Sequence, residues 1–163
     1  MKIFLQSILF LLCLSACSVS DDDGNPSNSS DPSSIGSQEY SIQSYISKHG
    51  LTMKRDSSGM YYKIVETGDS TQIMTLSSIP TLIYTRSNLQ DTLLDASFGS
   101  TDFDGRQLKD HIAGWQIGLR KIGKGGTIFM IIPSRLGFGD VAVGSIIPAN
   151  TVLVCTVQLV DFK

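Results

Sequence analysis

The sequence predicts an α+β domain, on three observations. Ile112, Trp115, Leu119 and Ile122 recur at spacings of three and four, which marks one face of a helix. That helix stands among short β-rich runs, of which residues 127–132 and 151–162 are the clearest. Glycine, proline and Asp-Ser clusters punctuate the runs at short intervals. Strands gathered around a single helix bury its apolar stripe against one sheet, which is the α+β arrangement.

The chain has 163 residues, and its N-terminal part reads as targeting rather than fold. Lys2 precedes an apolar run over residues 3–14, followed by small residues, the pattern of an export signal over residues 1–16. The run is shorter than the roughly 20 apolar residues a spanning helix needs. Leu14-Ser15-Ala16-Cys17 resembles the lipobox of bacterial lipoproteins, which implies cleavage before Cys17 and its lipidation. The alternative is an ordinary signal peptide cut near Ala16, with Cys17 a chance thiol. Residues 17–38 are rich in Ser, Asp, Asn, Gly and Pro and predict a disordered linker, because they bury too little apolar surface to offset the entropy of ordering. Asp21-Asp22-Asp23 resembles an acidic signal that sends lipoproteins to the outer face of the outer membrane; a solvated spacer is the bland alternative. The localisation expected is the cell envelope, with a lipid anchor in a bacterial membrane.

A short helix and connector are expected over residues 39–58. Ile42 and Ile46, and Tyr45 and His49, lie four apart, and Gly50 ends the pattern. The main domain is placed at residues 59–163. Residues 60–66 alternate Tyr62, Ile64 and Glu66 with Tyr61, Lys63 and Val65, a strand stopped at Gly68-Asp69. Residues 79–85 and 92–94 read as two further strands around a polar bend at 86–91. After the helix, residues 123–126 end the period, Pro133 closes the next strand, and the last strand alternates Leu153, Cys155, Val157 and Leu159 with Val152, Val154, Thr156, Gln158 and Val160.

Several chemistries lack support. From Tyr40 onward there are 12 basic and 10 acidic residues, so no nucleic-acid partner is implied. Removal of Cys13 and acylation of Cys17 would leave Cys155 as the one thiol, with no disulfide framework or thiolate cluster for zinc. Gly118 to Gly125 approaches a phosphate-loop pattern but has glycine in place of the hydroxyl residue and closes a helix instead of opening one. His49 and His111 lie far apart without ligand spacing, and no serine sits in a nucleophile elbow. Neither a metal nor a cofactor is expected.

What remains is apolar. Ile112-Ala113-Gly114-Trp115, Ile131-Ile132-Pro133, Leu136-Gly137-Phe138-Gly139 and Ile146-Ile147-Pro148-Ala149-Asn150 resemble, in order and spacing, the FK506-binding-protein (FKBP) family of peptidyl-prolyl isomerases. The resemblance implies a half-wrapped antiparallel sheet around one short helix, and isomerisation of Xaa-Pro bonds in exported polypeptide clients by an apolar proline pocket. It gives Trp115 the floor, Ile112 a backbone N–H for the substrate chain, and Tyr84 and Asp95 places in the catalytic wall. Leu94, Phe138, Ile146, Ile147 and Cys155 would complete the substrate-binding surface. Phe138, Leu94 and Cys155 depart from the aromatic and hydroxyl groups usual in the family, which keeps a weak or inactive binding or chaperone module as the alternative to the isomerase.

Overall fold

The computed structural model describes residues 35–163. Cys17, the signal segment and most of the expected linker lie outside the described residues.

Helix α1 spans Ile35–Lys48. It begins before residue 39, so Ser37 and Gln38 belong to it and not to the linker. Gln38 is buried, its Nε2 donates to Ser134 Oγ at 2.8 Å, and its Oε1 accepts from the Ser134 N–H at 3.0 Å. These tertiary bonds supply what the polar composition of the segment lacks locally.

Strands β1 (Lys54–Arg55), β2 (Tyr61–Glu66), β3 (Asp69–Ile73), β4 (Pro80–Ser87) and β5 (Leu93–Ala96) follow, then helix α2 (Ala113–Gly118), β6 (Gly123–Lys124), β7 (Thr127–Ile132) and β8 (Leu153–Phe162). Six of the strands form one antiparallel sheet in the order β1-β2-β7-β8-β4-β5, and β3 pairs with β6 in a two-stranded ribbon. The sequence had no signal for β3, which is exposed throughout. It is held by Gly123, whose added Cβ would overlap the Asp69 carbonyl, so the ribbon depends on a backbone approach that only glycine permits.

The β8 alternation has the expected consequence. Leu153, Cys155, Val157 and Leu159 are fully buried on the face that receives α2, together with Ile128, Met130 and Ile132 of β7. Trp115, Leu119 and Ile122 complete that core. Helix α2 is only six residues long and continues as a 3-10 turn over Leu119–Lys121. It lies close to β7, because a Cβ at Gly114 or Gly118 would run into Ile132 or Met130. On the other face, Ile42 and Tyr45 of α1 cover Tyr61, Ile131, Val152 and Val154.

Candidate functional site

Beside α2 lies a cavity of about 260 Å³. Trp115, Ile112, Phe103, Phe138 and Val143 form its apolar lining; Arg86, Asp95, Arg106, Asp110 and His111 form the rest. It is therefore more polar than the apolar pocket expected from the resemblance.

Its first wall is a cross-strand pair. Tyr84 and Arg86 are two apart on β4 and so share a face with Leu82, while Asp95 of β5 stands in register opposite Arg86. The Tyr84 hydroxyl donates to Asp95 Oδ2 at 2.9 Å, and Arg86 Nη1 lies 3.3 Å from the same oxygen. Burial first, and then this bond to Asp95, raises the Tyr84 pKa, so the hydroxyl is a stable donor and not an acid. The Arg86 guanidinium sits 4.8 Å from the Trp115 ring centre, 5.0 Å from Tyr84 and 5.4 Å from Phe138. These are cation–π distances, and in a buried setting such contacts are stronger than at an exposed surface.

The floor and far wall come from α2 and the segment before it. Trp115 is buried at the centre of an aromatic cluster, edge-on to Tyr84 at 5.1 Å and to Phe103 at 5.8 Å. Phe103 has φ of 53°, a left-handed conformation that costs a bulky residue about 1–3 kcal/mol and that here brings its ring to within 4.9 Å of His111. Burial, reinforced by the Arg106 charge, lowers the His111 pKa and favours a neutral imidazole. Ile112 is the N-cap of α2, its carbonyl accepts from the Trp115 and Gln116 amides, and its own N–H makes no backbone bond among the described residues.

Of the residues named from the sequence, Trp115, Ile112, Asp95 and Phe138 meet at the cavity. Tyr84 stands one step behind, bonded to Asp95. Leu94 is half-buried against the core and does not reach the lining. Cys155 is fully buried in the core, and burial pushes its thiol up to about 11 against the partial offset of the Arg86 cation, so it is protonated at neutral pH and forms no wall.

The loop isoleucines also depart from the expectation. Val143 and Ile147 form an isolated antiparallel bridge, with the Val143 N–H donating to the Ile147 carbonyl at 2.9 Å. The tight turn sends neighbouring side chains opposite ways: Ile147 goes into the core, Ile146 is 58% exposed, and Val143 supplies the lining in their place.

Sequence reading missed Arg86, Phe103, Arg106, Asp110, His111 and Val143. Arg86 falls within the polar bend expected at 86–91, although the period-two series Leu82, Tyr84, Arg86 points it inward. The others lie in segments without periodicity, where only the chain's path brings them to α2.

A family model described as FKBP-type peptidyl-prolyl cis-trans isomerase matches residues 83–160. The isomerase FkpA of Buchnera aphidicola subsp. Schizaphis graminum is 38% identical over 111 residues, which are 68% of this chain and 44% of that protein. FkpA of Escherichia coli K12 is 33% identical over 116 residues, 68% of this chain and 40% of that protein. The chain thus spans less than half the length of these curated relatives. The crystal structure of FkpA from Escherichia coli superposes with a TM-score of 0.67 at 28% identity, covering 77% of this chain and 59% of that one. With sequence, relatives and fold in agreement over the same C-terminal region, the chain belongs to the FKBP-type peptidyl-prolyl cis-trans isomerase family.

Proposed function

We propose that this domain isomerises Xaa-Pro bonds of polypeptides at the cell envelope. The observation behind the reading is the buried Trp115 ring at the base of a cavity bordered by Ile112, Phe103, Phe138 and Asp95. An Xaa-Pro bond turns slowly because twisting it breaks amide conjugation, a barrier of about 18–20 kcal/mol for peptide bonds in general. The planar amide is the more dipolar form and is stabilised by water on its oxygen. Moving it from water onto an aromatic floor therefore favours the twisted form. A donor such as the Ile112 N–H can hold the chain in a bent pose, so that the transition state is bound better than either ground state. No acid, base or nucleophile is needed, which suits a site whose thiol is sealed away in the core and whose histidine is held towards its neutral form by burial.

A second reading has its own observation. The Arg86 guanidinium already lies over the Trp115 ring, where a proline would pack, so the cavity can serve to hold proline segments with little turnover. Exchange NMR on a short proline peptide with substoichiometric protein decides between the two. The isomerase reading expects accelerated cis–trans exchange. Saturable binding with exchange at the uncatalysed rate would overturn it in favour of the binding module.

Envelope attachment rests on Leu14-Ser15-Ala16-Cys17 as a lipidation signal. Cys17→Ser should abolish fatty-acid labelling and release the protein from the membrane fraction; unchanged labelling would defeat the anchor.

A further inference from the structure

Arg86 contributes more than a cover for Trp115. It is a permanent cation, its side chain is 8% exposed, and its Nε–H has no hydrogen-bond partner among the described residues. A buried cationic donor left unmade is costly, and the aromatic rings around it attract its charge without accepting a conventional hydrogen bond. Asp95 does not complete it, because its contact with the guanidinium runs from Oδ2 to Nη1 at 3.3 Å and leaves Nε unpaired. The second carboxylate at the cavity, Asp110, is exposed on its rim. His111 Nε2 is a second buried nitrogen without a partner among the described residues, and Arg106 adds another cation to the lining. With Trp115 Nε1, three buried nitrogens unpartnered among the described residues and two guanidinium groups thus border one open cavity.

We infer that Arg86 makes this cavity selective for proline segments that bring a carboxylate to it. The proposal rests on the reading of the cavity as a proline site and names the substrate class within it. A carboxylate matches the planar guanidinium fork and supplies two acceptors along with a negative charge, whereas an amide carbonyl supplies one acceptor and no charge. The carboxylate has two possible sources: an Asp or Glu side chain next to the proline, or the chain end of a peptide that terminates in proline.

The test is a peptide panel titrated into the intact chain, with affinity and cis–trans exchange read by NMR. One arm compares Glu-Pro with Gln-Pro and Pro-Glu with Pro-Gln in capped peptides; the other compares a proline-terminated free acid with its amide. Binding about tenfold tighter for at least one carboxylate over its neutral partner, weakening with added salt, is expected. The arm that shows it identifies the source. Equal affinities in both arms overturn the selectivity, and catalysed exchange of the neutral peptides then leaves the isomerase reading standing. Conversely, a carboxylate preference without catalysed exchange of any peptide supports the selectivity and overturns the isomerase reading.

Arg86 is tested as the origin in two ways. In folded Arg86→Gln the preference should disappear, and its persistence would overturn the assignment. In the unaltered protein, the ¹⁵N-resolved Arg86 Nε–H signal should move with the preferred carboxylate peptide and stay in place with its neutral counterpart; no difference between them would overturn the assignment without any variant.

Discussion

Helix α2 meets the sheet through Gly114 and Gly118, backbone against the side chains of β7, while α1 reaches the opposite face through Ile42 and Tyr45. The closer approach leaves α2 no room to slide, and it fixes Trp115 and Ile112 relative to β4 and β5. The α1 face is ordinary apolar cover supplemented by polar bonds: Gln38 to Ser134, and the Tyr45 hydroxyl donating to Asp91 at 2.7 Å. Buried nitrogens without partners, the close aromatic cluster around Trp115 and the buried cation all belong to the α2 side. The difference teaches that one sheet separates stability from chemistry. The α1 side can be weakened without touching the cavity, whereas on the α2 side core and site share the same ring.

Two truncations break or confirm that separation. Trp115→Ala should cost about 3–5 kcal/mol and also abolish proline-peptide binding, because the ring is both core and floor. Ile42→Ala should cost about 3 kcal/mol, within the usual range for a buried aliphatic residue, and leave peptide affinity unchanged in the protein that remains folded. Denaturant melts paired with a peptide titration check both. A loss of affinity in Ile42→Ala comparable to that in Trp115→Ala would show that the faces are coupled.

A smaller effect sharpens the role of the first turns of α1. Gln38→Ala leaves the buried Ser134 N–H without its acceptor and should cost about 1–2 kcal/mol. Hydrogen exchange at the Ser134 amide should rise with it, while the signals of Trp115 stay in place.

The smallest effect is electrostatic. Asp56 accepts from Lys121 Nζ at 2.8 Å and from the Ser58 N–H at 2.9 Å, and these bonds hold its carboxyl near 2, below its usual 3.8. Its folded pKa is depressed, so its contribution is present above the unfolded value and is lost as pH falls from about 4 towards 2. For a partly exposed pair this amounts to about 1 kcal/mol. It should appear as a flattened acid limb of the stability profile in Asp56→Asn. An acid limb unchanged by the substitution would remove the pair from the account.

The strands β7 and β8 were legible because alternation and β-branched residues state both their type and their buried face, and the Trp115 stripe stated the helix. Phe138, Ile112 and Asp95, named from the family pattern, line the cavity. The loop pair Ile146 and Ile147 was misplaced, because side-chain direction in a turn follows from its bridge to Val143 and not from hydropathy. Arg86 was half legible: its period with Leu82 and Tyr84 points inward, but charge argues for a bend, and only the opposed Asp95 and the three rings settle the conflict.

The sequence by itself determined the elements whose signals are local: the period of α2 and the two faces of β8. Tertiary structure alone decided that Gln38 leaves the linker for the fold, that Cys155 is sealed in the core, and that Arg86, Phe103 and His111 converge on Trp115. These outcomes depend on contacts between residues far apart in the chain, whose burial and pairing energies have no counterpart in any short stretch of sequence.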